Sequence, residues 1–212
     1  MDTEKVRKAL KELQKHPKRK FTQSYDLVIN LKNIVIKQTP VDFFVTLHYP
    51  KGKKIRVAAF VDQLLAEQAQ TFCDLAIRDT EFAKYADKKV LKKLAEEYDY
   101  FIAQANLMPK VAAAFGKVLG TKGKMPNPKL GCVVPPSANL EPLVKKLNST
   151  VRLAAKKGTN VQVMVGREDQ PEDQVIDNIM TAYQALVKQL PNETQNIKNV
   201  MVKLTMSKPE RL

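Results

Sequence analysis

The chain has 212 residues, 44% of them hydrophobic, enough to bury a core in one large domain or two modest ones and too apolar for general disorder. It carries 36 Lys and Arg against 22 Asp and Glu, a formal net charge of +14, which favours a polyanionic partner: nucleic acid or an acidic membrane surface. No apolar run approaches the roughly 18 to 20 residues that span a bilayer, and the charged start MDTEKVRKALKELQKH argues against a secretory signal. The expectation is therefore a cytoplasmic protein with no membrane partner.

Residues 2–15 place Val6, Leu10 and Leu13 on one helical face, and His16-Pro17-Lys18-Arg19-Lys20 stops that helix. SYDLVINL (24–31) and DFFVTLHY (42–49) alternate with period two, which predicts two neighbouring strands, each with one buried face. After Pro50-Lys51-Gly52 the pattern changes. KIRVAAFV (54–61) and YDYFIAQ (98–104) are near-continuous apolar runs, as in strands covered on both faces. Helices are expected around 62–72 and 88–97, over 108–120 with Pro109 in the first turn, and from a Ser137 cap through Leu147.

From 150 onward the first pattern returns. TVRLAAKKG (150–158) and NVQVMVG (160–166) read as strands joined by a tight turn at Gly158. Pro171 opens a helix with Val175, Ile176, Ile179, Tyr183, Leu186, Val187 and Leu190 along one face, and Pro191 ends it. NVMVKLTM (199–206) reads as the last strand. The predicted fold class is mixed α/β and α+β in two domains: residues 1–51 plus 150–212 form a split α+β domain, and 52–149 form an α/β domain inserted into it. A single continuous domain is the alternative.

The charge is segregated. Between Tyr100 and Arg167 eleven Lys and Arg face a single acid, Glu141, a formal +10, and this predicts a basic face. Within it, GTKGKMPNPKLGCVVPP (120–136) combines three glycines, four prolines and three lysines, and reads as a rigid, non-helical basic loop. It is not a P-loop. With Gly123-Lys124 as the second half of that motif, Val118 stands where the first glycine belongs and Met125 replaces the hydroxyl residue. His16 and His48 have no ligand at helical or hairpin spacing, and His48 reads as structural. Cys73 and Cys132 lack metal spacing and read as small buried side chains of a reducing compartment. No catalytic set emerges, and neither cofactor nor metal is expected.

Nucleic-acid binding uses these features better. Lysines and arginines neutralise phosphates, and glycine loops bring backbone amides close to them. Between Ile102 and Ala182 the only aromatic is Phe115, on a predicted helix, so a base-stacking platform for single strands is missing and folded RNA is the favoured target. The competing reading from another class is an α/β enzyme whose basic cleft holds an anionic metabolite. A basic chaperone or membrane-surface protein is a third.

The string Gly120, Gly123, Met125, Pro126, Asn127, Pro128, Lys129 and Gly131 (G-x-x-G-x-M-P-N-P-K-x-G) resembles the signature loop of the large-subunit ribosomal protein L-one family, the proteins of the mobile side stalk. KFTQSYDLVINLK (20–32), VMVGRE (163–168) with DNI (177–179), and VKLTM (202–206) resemble further family segments, so the likeness spans nearly the whole chain in an archaeal or eukaryotic style. Ser207 stands where bacterial members have glycine, and Arg167 replaces the common lysine. The resemblance implies a non-enzymatic, ribosome-associated protein, monomeric when free. One domain is built from both chain ends and holds the main RNA site; the other is Rossmann-like. Implied partners are large-subunit ribosomal RNA, exit-site tRNA, whose release it assists, and its own messenger RNA, which it represses.

Carried over by position, the implied RNA contacts are Lys20, Phe21, Gln23, Ser24, Gly166, Arg167, Thr205, Met206 and Ser207, with Lys156, Lys157 and Lys203 as lesser choices. Thr205 and Ser207 would offer hydroxyls to 2′-OH and phosphate groups, and Gly166 close backbone approach. Phe21 and Met206 would either press on ribose or lie in the core. Lys122, Lys124 and Lys129 would make a secondary RNA contact or pack at the hinge.

Overall fold

The computed structural model describes residues 2–36, 38–85, 87–155 and 158–212. In chain order its elements are α1 (Thr3–Gln14), β1 (Ser24–Leu31), β2 (Val41–Thr46), β3 (Val57–Val61), α2 (Ala66–Phe72), β4 (Leu75–Arg78), α3 (Lys88–Glu97), β5 (Tyr100–Gln104), α4 (Met108–Lys122), β6 (Val133–Val134), α5 (Leu140–Ser149), β7 (Thr150–Ala155), β8 (Asn160–Arg167), α6 (Glu172–Gln189), β9 (Ile197–Leu204) and β10 (Glu210–Arg211). The chain divides into two compact units. One runs to Lys53 and resumes at Ser149–Leu212; the other is Lys54–Asn148.

The first unit holds a four-stranded antiparallel sheet, β10-β9-β1-β8, and a separate antiparallel ribbon, β2-β7. Period-two alternation decides its core. Tyr25, Leu27, Ile29 and Leu31 of β1 turn inward with Val161, Val163 and Val165 of β8 and Val200, Val202 and Leu204 of β9. Against them lie Val6, Leu10 and Leu13 of α1 and Val175, Ile176, Ile179 and Leu186 of α6. Burying a side chain of this size contributes about 1.5–3 kcal/mol, so these helical stripes hold α1 and α6 in place. Asp2 caps α1 by accepting the Glu4 N–H at 3.1 Å. β1 and β2 are not neighbours, contrary to their matching alternation: β1 lies between β8 and β9, and β2 pairs with β7. Alternation reports which face is buried, not which strand lies alongside. Nor is β9 the last strand, because β10 pairs with it after a turn at Thr205–Met206.

The second unit is a parallel sheet, β4-β3-β5-β6, with every position of β3 buried. Phe60 stacks beside Phe101 with ring centroids 5.8 Å apart and lies tilted against Phe115 at 4.6 Å, and Phe82 meets Phe115 edge to face at 5.2 Å. This cluster uses Phe115 as core, as its helical position predicts. β4 has no counterpart in the sequence reading; four residues between a short helix and a 3-10 turn carry too little periodicity to be seen. α5 starts at Leu140, capped by Asn139, which accepts the Glu141 N–H at 3.0 Å, and not by Ser137. α4 runs through Lys122 and ends on Gly123 in the left-handed conformation (φ 66°). The stretch 120–131 is therefore not a non-helical loop throughout: 120–122 close a helix and Pro128–Leu130 form a 3-10 turn.

Strand order in this sheet reverses between β3 and β5, the place where open α/β sheets bind ligands. Here Gln104, fully buried, accepts the Asp62 N–H at 2.7 Å and donates to Asp62 Oδ1 at 2.9 Å. Asp62 Oδ1 also accepts the N–H groups of Leu64 and Leu65. The polar groups at the switch point satisfy one another. Among the described residues, no helix is long and apolar enough to cross a membrane, and no group of three or more His, Cys, Asp or Glu could hold a metal ion.

Cys73 and Cys132 are buried and free. Burial pushes the Cys73 thiol up to about 12, with Asp74 adding to the effect, and the Cys132 thiol up to about 11, partly offset by a hydrogen bond from the Asn127 backbone. At pH 8 the native protein should therefore resist an alkylating reagent that fully modifies both thiols in urea. Modification of the folded protein at the rate of an exposed thiol would contradict this.

Candidate nucleic-acid interface

Antiparallel pairing puts the start of β1 beside the ends of β8 and β9. Ser24 pairs with Arg167, and Tyr25 with both Gly166 and Leu204. Residues 20–24, 166–168 and 203–207, distant in sequence, thus meet at one end of one sheet. The register slips between Tyr25 and Asp26, leaving Val165 as the extra residue of a bulge on β8, a device that bends a strand and re-aims its end.

Gln23 ties the three segments together. It is only 2% exposed. Its backbone N–H and side-chain NH₂ donate to the two carboxylate oxygens of Glu168 at 2.9 and 3.1 Å, and its carbonyl accepts the Glu168 N–H at 3.0 Å. Its side-chain oxygen accepts the Met206 N–H at 3.1 Å. Glu168, absent from the sequence-derived set, is therefore a main support of the site. Its presence in VMVGRE marks it, but only the strand pairing shows what it holds.

The hydroxyl groups divide into two roles. Thr205 Oγ1 accepts the Ser24 N–H at 3.1 Å and lies 3.1 Å from Ser24 Oγ, which donates to Asp26 Oδ1 at 3.3 Å. Thr205 is exposed and keeps acceptor capacity. Ser207 does not offer a free hydroxyl. Its Oγ accepts the Leu204 N–H and donates to the Lys208 carbonyl, both at 2.9 Å, closing the turn after β9.

Phe21 and Met206 are surface residues, 51% and 60% exposed, and the core reading of both is set aside. Lys20 is exposed, and Lys203 Nζ reaches the Thr205 carbonyl at 3.1 Å. Gly166 is buried; a Cβ there would lie 2.9 Å from Val175 Cγ2 and 3.0 Å from Gln170 Oε1, so its small size serves the packing of α6. Arg167 accepts no such burial: its N–H donates to Gln170 Oε1 at 2.9 Å, its Nη1 to the Gly52 carbonyl at 3.2 Å, and Asp169 lies 3.8 Å from its Nε. Lys156 and Lys157 lie outside the described residues.

Two grooves flank this surface. One, about 670 Å³, is lined by the basic link His16, Lys18, Arg19 and Lys20 with Phe21 and Tyr25 among its other residues. The other is about 320 Å³ and includes Ser24, Arg167 and Thr205.

The lysines of the 120–131 stretch belong to the second unit and two are engaged there. Lys122 Nζ lies 2.7 Å from Glu96 Oε1, and Lys124 Nζ donates to the Tyr98 carbonyl at 2.7 Å. Lys129 is exposed with no side-chain partner among the described residues. The basic segment 100–167 is divided between the two units, and acids from elsewhere in the chain pair with part of it: Asp79 with Lys110, Glu96 with Lys122 and Asp42 with Arg152. His48 is exposed and lies beyond the end of β2 at Thr46, not on the strand, with its Nδ1 2.7 Å from Asp177 Oδ2.

Two expectations follow. Gln23→Leu keeps the backbone bonds to Glu168 but removes the side-chain partner of Glu168 Oε1 and of the Met206 N–H, and should destabilise the protein by about 1–3 kcal/mol in urea unfolding; an unchanged midpoint would remove Gln23 as the support. The Asp26 carboxyl is pushed above its ordinary 3.8 by burial, while the Ser24 hydroxyl and Lys203 pull it back. Because the folded group holds its proton more tightly than the unfolded one, stability falls as pH rises through the interval between the two values, and the loss persists above it. Asp26→Asn should therefore raise the melting temperature at pH 7 and lose that advantage below about pH 4, where both states carry the proton.

Comparison with known proteins gives the family. The model of the Ribosomal protein L1p/L10e family matches residues 13–208. The Large ribosomal subunit protein uL1 of Nanoarchaeum equitans is 37% identical over 207 residues, 96% of this chain and 97% of that protein. Its counterpart in Pyrococcus abyssi is 38% identical over 210 residues, 97% and 94% of the two chains. That of Methanothermococcus thermolithotrophicus is 36% identical, covering 100% of this chain and 99% of its own. With a family model matched over nearly its entire length and relatives aligned end to end, the chain belongs to the ribosomal protein L1p/L10e family.

Proposed function

We propose that the protein is a component of the large ribosomal subunit that binds folded ribosomal RNA of the side stalk through Lys20, Phe21, Ser24, Arg167, Lys203, Thr205 and Met206, held in place by Gln23, Gly166 and Ser207. The observation that carries this reading is the exposure of two large apolar side chains, Phe21 and Met206, beside cations and hydroxyls on a surface braced by buried hydrogen bonds. Exposed apolar groups in a polar rim mark contact sites. Cations answer phosphates, Thr205 and Ser24 answer 2′-hydroxyls, and Phe21 and Met206 cover ribose or a base edge.

The units act as separate domains, Met1–Lys53 plus Ser149–Leu212 carrying the RNA site and Lys54–Asn148 inserted, bounds one or two residues from those read in the sequence. On the ribosome the protein assists release of deacylated tRNA from the exit site. A messenger that copies the ribosomal site competes for the same surface, so the protein represses its own synthesis. These roles rest on the family resemblance and extend the RNA reading.

The test is a binding titration against a side-stalk ribosomal RNA fragment and a scrambled duplex of equal length, over a series of salt concentrations. The stalk fragment should bind in the nanomolar range and survive moderate salt, and the duplex should not. Thr205→Ala and Met206→Ala should each weaken stalk binding about threefold to tenfold. Equal affinities for both RNAs, falling together with salt, would refute specific recognition.

A further inference from the structure

We infer that Lys53 is an additional RNA contact, which with Arg167 forms a two-cation seat for one phosphodiester of the bound RNA. The inference rests on the RNA-binding reading above. Lys53 is exposed and lines the 320 Å³ groove together with Thr22, Ser24, Met164, Arg167 and Thr205. That lining brings two cations and three hydroxyls to one place and contains no acid and no aromatic. Cations suit a phosphate, hydroxyls suit the neighbouring 2′-OH, and the missing aromatic rules out base stacking in this groove.

Lys53 arrives there for a reason visible in the backbone. Gly52 has φ +82°, a conformation that L side chains rarely adopt. A Cβ on Gly52 would lie 2.9 Å from Arg167 Cδ and 3.0 Å from Cγ, so this segment rests directly on the arginine stem. The Gly52 carbonyl accepts from Arg167 Nη1 at 3.2 Å, and the Pro50 carbonyl accepts from Gln170 Nε2 at 2.7 Å. Pinned at two carbonyls, the chain delivers the next residue, Lys53, to the groove. Arg167 has five N–H donors, so the bond to Gly52 and the loose approach of Asp169 leave donors for a phosphate oxygen. Residue 53 lies outside every family motif quoted from the sequence.

The experiment compares the full-length protein with Lys53→Gln, Lys53→Arg and, as control, Lys188→Gln on the exposed side of α6, titrated against the side-stalk RNA fragment and the scrambled duplex at several salt concentrations. Lys53→Gln should weaken stalk binding about threefold to tenfold and reduce the slope of log affinity against log salt by about 0.7–0.9, one phosphate's worth. Lys53→Arg should keep the slope, and Lys188→Gln should behave as wild type. A wild-type slope in Lys53→Gln, with the wild-type protein still preferring the stalk fragment, overturns the seat and leaves the larger surface standing. A wild-type protein that fails to distinguish the two RNAs overturns both.

Discussion

Gln23 occupies a position that the rest of the surface cannot do without. An amide this deeply buried has to satisfy its donors and acceptor inside the protein, since an unpaired buried polar group costs about 1–3 kcal/mol. Here each partner comes from a different part of the chain: Glu168 just beyond β8 and Met206 just beyond β9. The requirement that one side chain be satisfied thus fixes three loop ends against one another. Phe21 and Met206 can then remain exposed without being disordered, because the backbone on either side of Gln23 and at Met206 is held from beneath.

The two units use opposite strategies. In the first, hydrogen bonding is completed below the surface and Phe21 and Met206 are left outside. In the second, the place where a parallel sheet would offer a small-ligand crevice is occupied by the Asp62–Gln104 pair, and the aromatic rings are spent on the core. That internal completion weighs against an anionic-metabolite enzyme and accords with membership of a ribosomal protein family.

The segment leaving β2 is fastened to α6 before it departs. Asn178, fully buried, accepts the Tyr49 N–H at 3.1 Å and donates to the carbonyls of Tyr49 and Val165 at 3.2 and 2.9 Å. Gln170 and Arg167 then take the carbonyls of Pro50 and Gly52. Four points, His48, Tyr49, Pro50 and Gly52, are held within the same unit as the proposed RNA surface, and Arg167 is common to both.

Periodicity and turn residues made much of this legible without coordinates. α3 and β1 occupy the residues that their patterns mark, and α6 begins after Pro171 because its apolar stripe is long and its ends are punctuated by proline. Local composition alone determined these elements, the overall mixed α/β class and the family motif, since each depends on neighbours within a few residues. Tertiary structure decided what depends on distant partners: that β2 joins β7 and not β1, that Gly123 and not Gly120 ends α4, that the Ser207 hydroxyl closes a turn instead of being left free, and that Glu168 supports Gln23. Those outcomes turn on which surfaces are buried against which and on where each buried polar group finds its partner. Neither quantity is carried by the spacing of residues along the chain.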